Sequence, residues 1–200
     1  MTVTPGQVEI IRAGVRAREG SRGPEWIRGI DRIEIEVGEG LSYRARALAE
    51  PNAVMTVDEP SERGGTGQGN TPLAHFLAGA GSCLLNQFVR VAIADDYDLR
   101  FVRARVRGEF HRNLGGGFEH VTSEIYGEGR LSDDQAESLT QRAEALCCVH
   151  NTLSKAIRMT TVFHLNGREA VRKVSGPGLA PDSGPRTSGG DLPAPRHPGG

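Results

Sequence analysis

The hydrophobic period alternates between strand-like and helix-like along residues 33–166, and that succession constrains the fold more than any other feature. RIEIEV sets Ile33, Ile35 and Val37 against Arg32, Glu34 and Glu36, the alternation of a half-buried strand. LSYRARAL and AVMTV read as two further strands separated by the turn AEPN. From Pro72 the period lengthens: Leu73, Leu77, Ala80, Leu84, Phe88 and Val91 recur at helical steps, with Thr71 as N-cap and Pro72 at the first helical position. LRFVRARVRGEF returns to alternation, with Val102, Ala104, Val106 and Phe110 on one face and Arg103, Arg105 and Arg107 on the other. After a GGG turn, FEHVTSEIYGEG is its hairpin partner. Ser132-Asp133-Asp134-Gln135 is a capping box for a second helix running to about Leu146. CVHNTLSKAI continues it, straight or kinked, and MTTVFHLNG closes the unit as a strand. Strands outnumber crossover helices and come in hairpin runs, so the expected class is α+β with a mainly antiparallel sheet.

Composition bounds what surrounds this unit. The segment SGPGLAPDSGPRTSGGDLPAPRHPGG offers almost nothing to bury, and a disordered tail over 173–200 is expected. Residues 1–25 read as an N-terminal extension, where Val8, Ile10 and Ile11 give way to charges and SRGPE, leaving 26–172 as the domain. A net charge of −1 and a pI near 6.6 point to neither nucleic acid nor an anionic membrane as partner. No stretch is an uninterrupted apolar run of the ~18 residues a membrane span needs. The first twenty residues also lack the apolar run of a secretory signal. With three cysteines there is no disulfide framework of a small secreted protein, so a reducing cytoplasm is the expected compartment.

In such a compartment cysteines matter for their chemistry. Cys83 falls in AGAGSCLLNQF, about 100° from Leu84 and so at the edge of the core stripe, beside small residues. A thiol there can be an inert core residue, or it can face a pocket or a subunit interface. In the second helix the period separates two adjacent cysteines. Cys147 continues the apolar stripe of Ala136, Leu139 and Ala143, whereas Cys148 continues Glu137, Gln141 and Glu144, read as a solvated stripe. Cys147 is therefore expected to face inward and Cys148 outward.

Element order and two local motifs together resemble the OsmC/Ohr family, the osmotically inducible and organic-hydroperoxide-resistance proteins. GNTPLAHFLAGAGSCLL is similar to that family's first-cysteine helix, and AEALCCVHNTLSKAI to its second-cysteine segment. The resemblance implies an OsmC-like fold with two central helices, assembled as an intertwined homodimer. It also implies a thiol peroxidase without a cofactor. Cys83 corresponds to the peroxidatic thiol, attacking a hydroperoxide substrate to leave a sulfenate, and Cys147 to the thiol that resolves it as a disulfide. An external dithiol then reduces that disulfide. Members of the family hold the thiolate with an arginine from the early strands, for which Arg44 and Arg46 are the candidates here.

The chain departs from the family pattern in two places. The glutamate that peroxide-reducing members carry just after the helix proline is absent, the positions being Leu73, Ala74 and His75. The proline after the second cysteine is replaced by Cys148. These departures raise an alternative, a catalytically weakened protein of the same fold that binds a small apolar ligand or senses redox state. The C-C-x-H spacing ending at His150 matches no zinc pattern, so no metal is expected. RGGTGQGN lacks the Gly-Lys-Ser/Thr ending of a phosphate loop.

Overall fold

The computed structural model describes residues 3–20, 31–48 and 53–178, so most of the Gly/Pro-rich tail lies outside the described residues. Among the described residues eleven α-helices and β-strands follow one another: α1 (Pro5–Gly20), β1 (Ile33–Val37), β2 (Ser42–Ala47), β3 (Val54–Asp58), α2 (Pro72–Ala94), β4 (Asp98–Phe110), β5 (Phe118–Arg130), α3 (Asp133–Leu146), α4 (Cys148–Leu153), β6 (Arg158–Leu165) and β7 (Arg168–Ser175). The class is the expected α+β.

Two sheets form, ordered β1-β2-β3 and β4-β5-β6-β7. All neighbours are antiparallel except β5 and β6, which the helical crossover α3–α4 makes parallel. β7 is an addition to the sequence reading, which ended on one strand at Asn166-Gly167. That dipeptide is a two-residue hairpin turn with φ of 51° and 83°, the left-handed pair that Asn-Gly accommodates. The boundary drawn at Arg172 therefore falls inside β7.

Helices α2 and α3 pack against each other and against the four-stranded sheet. Between them lie Leu84, Phe88, Val91, Ile125, Leu139, Ala143 and Phe163, all buried. Gly81 allows the close approach of α2 to β4, since a Cβ there would stand 2.3 Å from Val106 Cγ2. Gly79, by contrast, has open space around it. In length and composition α2 could cross a bilayer, yet it is the central core helix of this fold, and its apolar run is broken by Ser82, Asn86 and Gln87.

Residues expected to be a mere extension form α1, which packs on α2 and buries Val15 in the same core. Thr4 and Gln7 cap it reciprocally: Thr4 N–H donates to Gln7 Oε1 (2.8 Å) and Gln7 N–H to Thr4 Oγ1 (3.3 Å). Arg12 pairs with Asp96 at the end of α2, and Arg142 of α3 bridges Glu19 (2.7 Å) and Asp95.

The glycine-rich loop after β3 is organised by one carboxylate. Asp58 is buried and accepts from Thr66 Oγ1 (2.6 Å), Thr66 N (3.0 Å) and Gln68 N (2.9 Å). Gly65 is required here because a Cβ would lie 1.8 Å from the Glu59 carbonyl oxygen. The Thr66 hydroxyl first, and the backbone donors after it, hold the Asp58 carboxyl down at about 2, against the ordinary 3.8. A depressed carboxylate contributes stability that is complete above its unfolded value and is lost as pH falls through its folded one. Asp58→Asn, which turns an amide NH₂ toward N–H donors, is accordingly expected to lower the urea midpoint at pH 7. The gap to wild type should narrow below pH ~4, toward pH ~2. A gap that does not change across that window would exclude this role for the charge.

Candidate active site

Helix α2 carries Cys83 half-buried, one residue before the fully buried Leu84. Helix α3 ends at Leu146, and Cys147 adopts an extended backbone (φ −83°, ψ 107°) before the chain re-enters a helix as α4. The inward orientation of Cys147 therefore arises from a break between helices as well as from the stripe of Ala136, Leu139 and Ala143. Its sulfur lies 3.4 Å from that of Cys83. Cys148 is exposed.

The environment distinguishes the two sulfurs. Cys147 is fully buried, and burial pushes its thiol up to about 12, although the His150 N–H pointing at its sulfur (3.4 Å) acts in the opposite direction. A thiol so placed keeps its proton at neutral pH and can donate it toward Cys83. Cys83 is the accessible member, at the edge of the core. About 2.05 Å separates the sulfurs of a disulfide, so the pair needs only a short approach to close.

Arg18 of α1 reaches the residues beside this pair, and the sequence reading did not single it out. It donates to Gln87 Oε1 (3.0 Å) and to the Leu146 carbonyl, with its Nη2 3.9 Å from Cys148 Sγ. Gln87 is buried one helical turn beyond Cys83. The available signal was the Thr4-x-x-Gln7 cap followed by Ile11, Val15 and Arg18 at helical spacing.

Arg44 and Arg46 are not brought to the cysteines within one chain. Both are exposed on β2, where Arg46 pairs with Glu34 of β1 and Arg44 sits opposite Glu36 and Thr56. The three-stranded sheet meets the rest of the chain mainly where β3 contacts α2. His75, at the position of the missing glutamate, places Nε2 3.0 Å from the Thr56 carbonyl oxygen and so ties α2 to β3.

Glu144 departs from the expected solvated stripe. It is buried, its carboxyl raised by desolvation and drawn back by Thr161 and Lys173. The reason is that α3 lies against β6 and β7, a contact helical periodicity cannot anticipate. His150 is also buried, which lowers its affinity for a proton, and Nε2 lies 3.1 Å from Ser175 Oγ. Among the described residues no three His, Cys, Asp or Glu side chains converge as a metal site.

An OsmC-like protein family model matches residues 65–162, a span holding both Cys83 and Cys147. No curated protein matches the chain. Solved structures do. An OsmC-like protein from Mycoplasma pneumoniae is 20% identical, with a TM-score of 0.62 over 70% of this chain and 99% of its own. Organic hydroperoxide resistance proteins from Elizabethkingia anophelis (16% identical, TM-score 0.57) and Legionella pneumophila (17%, 0.53) each align over 70% of this chain and 98% of their own. At such identities the likeness establishes the fold.

Proposed function

Since the chain belongs to the OsmC/Ohr family, we propose that it reduces organic hydroperoxides or hydrogen peroxide through Cys83 and Cys147. The observation carrying this reading is the 3.4 Å separation of two sulfurs that differ in burial and come from different helices. The Cys83 thiolate attacks the hydroxyl oxygen of the peroxide, the O–O bond breaks, and sulfur becomes a sulfenic acid while the other oxygen leaves as alkoxide, or as hydroxide from hydrogen peroxide, and takes a proton from water. Cys147 then attacks that sulfur. The S–S bond forms, the S–O bond breaks, and the departing hydroxide takes the Cys147 proton to leave as water. A dithiol of the reducing cytoplasm reopens the disulfide. No step calls for a cofactor.

The working unit in this reading is a homodimer. All five residues of β1 are exposed, including Ile35 (65%) and Val37 (74%), and Leu73 and Phe76 of α2 are exposed as well. A three-stranded sheet with an apolar face left open, beside a partly uncovered apolar helix, suits burial against a second copy. Arg44 and Arg46 stand apart from the pair in one chain, so either would reach a Cys83 only across that interface.

The test is titration of reduced protein with cumene hydroperoxide, following thiol loss, intact mass and peroxide consumption. Stoichiometric formation of a Cys83–Cys147 disulfide with the alcohol product is expected. In Cys147→Ser the disulfide should be lost, with Cys83 accumulating as sulfenate and then sulfinate. Absence of both disulfide and peroxide consumption in the wild type would overturn the reading. The absence of a carboxylate at Leu73, Ala74 and His75 favours a second reading, a protein of the same fold binding a small apolar ligand. An open groove of about 440 Å³ along α2, lined by residues including Leu77, Leu85 and Val106, offers it a place. A ligand that co-purifies without turnover would decide for it.

A further inference from the structure

The helical break at Cys147 exposes a structural problem that α1 solves. Where a helix stops, its last carbonyls have no intrahelical partner. The Glu144 carbonyl accepts from Cys147 N–H (3.0 Å) and the Ala145 carbonyl from Asn151 Nδ2 (2.8 Å). The Leu146 carbonyl, directly before Cys147, accepts from Arg18. The other arm of the same guanidinium holds Gln87, one turn beyond Cys83 on α2. One planar group thus joins the backbone just before Cys147 to the Gln87 side chain of the helix that carries Cys83, a geometry a forked guanidinium can hold and an ammonium cannot hold in full.

We propose that Arg18 is a positioning residue for disulfide closure, clamping the Leu146–Cys147 turn to α2 so that the Cys147 sulfur stays within reach of Cys83. The proposal builds on the thiol chemistry above. Arg18 does not take part in the first attack, since its contacts are Gln87, the Leu146 carbonyl and Cys148, and neither reacting sulfur is among them. Its effect falls on the second step, in which the Cys147 sulfur displaces hydroxide from the Cys83 sulfenic acid and water leaves.

Arg18→Ala should slow closure roughly 10- to 100-fold, the scale of a reacting group displaced by about 1 Å, while the sulfenate forms at the wild-type rate. The two steps are read separately by stopped-flow peroxide loss and by timed quenching for intact mass. At excess peroxide the variant should divert Cys83 from disulfide to sulfinate. Arg18→Lys should recover part of the closure rate. Arg12→Ala, which loosens α1 at its Asp96 contact without touching the clamp, should close as the wild type does. Wild-type closure in Arg18→Ala, or equal slowing in Arg12→Ala, would overturn the proposal. If Arg18→Ala fails to fold, Gln87→Leu takes its place: slowed closure supports the clamp, and unchanged closure overturns it. The same series is run with diamide, an azo oxidant that accepts two electrons and two protons from a dithiol. A wild type that closes with diamide and ignores peroxide removes the peroxidase reading and leaves the clamp standing.

Discussion

Cys83→Ser is expected to abolish hydroperoxide consumption, lowering the rate by about three orders of magnitude or more, as loss of a nucleophile does elsewhere. A serine hydroxyl is a far weaker nucleophile than a thiolate, and the site offers it no adjacent base. Cys147 cannot substitute, because its thiol is fully buried and raised to about 12. Cys148 is accessible, but it lies outside the pair and has no resolving partner. Cys148→Ser should therefore retain closure and turnover, whereas Cys83→Ser should show neither, with far-ultraviolet circular dichroism unchanged in both. Peroxide consumption that survives Cys83→Ser and fails in Cys148→Ser would reassign the chemistry to the exposed thiol.

The largest effect on stability is expected for Phe88→Ala, about 3–5 kcal/mol by urea denaturation. Phe88 is fully buried and meets Phe163 of β6 at a centroid distance of 5.5 Å and an interplanar angle of 56°. Truncation removes the transfer free energy of the ring, leaves a cavity between α2 and the sheet, and forfeits an aromatic contact of about 0.5–1.5 kcal/mol. The same ring helps set the rotation of α2, because Leu84, Phe88 and Val91 facing inward is what turns Cys83 toward α3. The variant should thus also lose speed in disulfide closure at temperatures where it remains folded. A loss below ~1 kcal/mol would mean that α2 is not the central core helix.

Much of this architecture is legible in the sequence. Strands β1 to β5, helices α2 and α3 and the capping box at Ser132 follow from period and punctuation, both local properties. Helical period separated Cys147 from Cys148, and the family motifs agreed with it. Helix α1 was legible in part through Thr4, Gln7 and the Ile11–Val15 spacing, signals weakened by neighbouring charges. Strand β7 was missed although Asn166-Gly167 marks its turn, since REAVRKVS is too charged to stand out.

What local pattern determined here is which residues form helices and strands and which thiol faces the core, because each depends on neighbours within a turn or two of chain. Tertiary packing decided the rest. It placed Cys83 and Cys147, sixty-four residues apart in sequence, at 3.4 Å. It buried Glu144 against β6 and β7, left Arg44 and Arg46 on a separate sheet, and delivered Arg18 to the Leu146 carbonyl from α1. These contacts join elements far apart along the chain, and their partners are selected by surface complementarity, which no periodicity records.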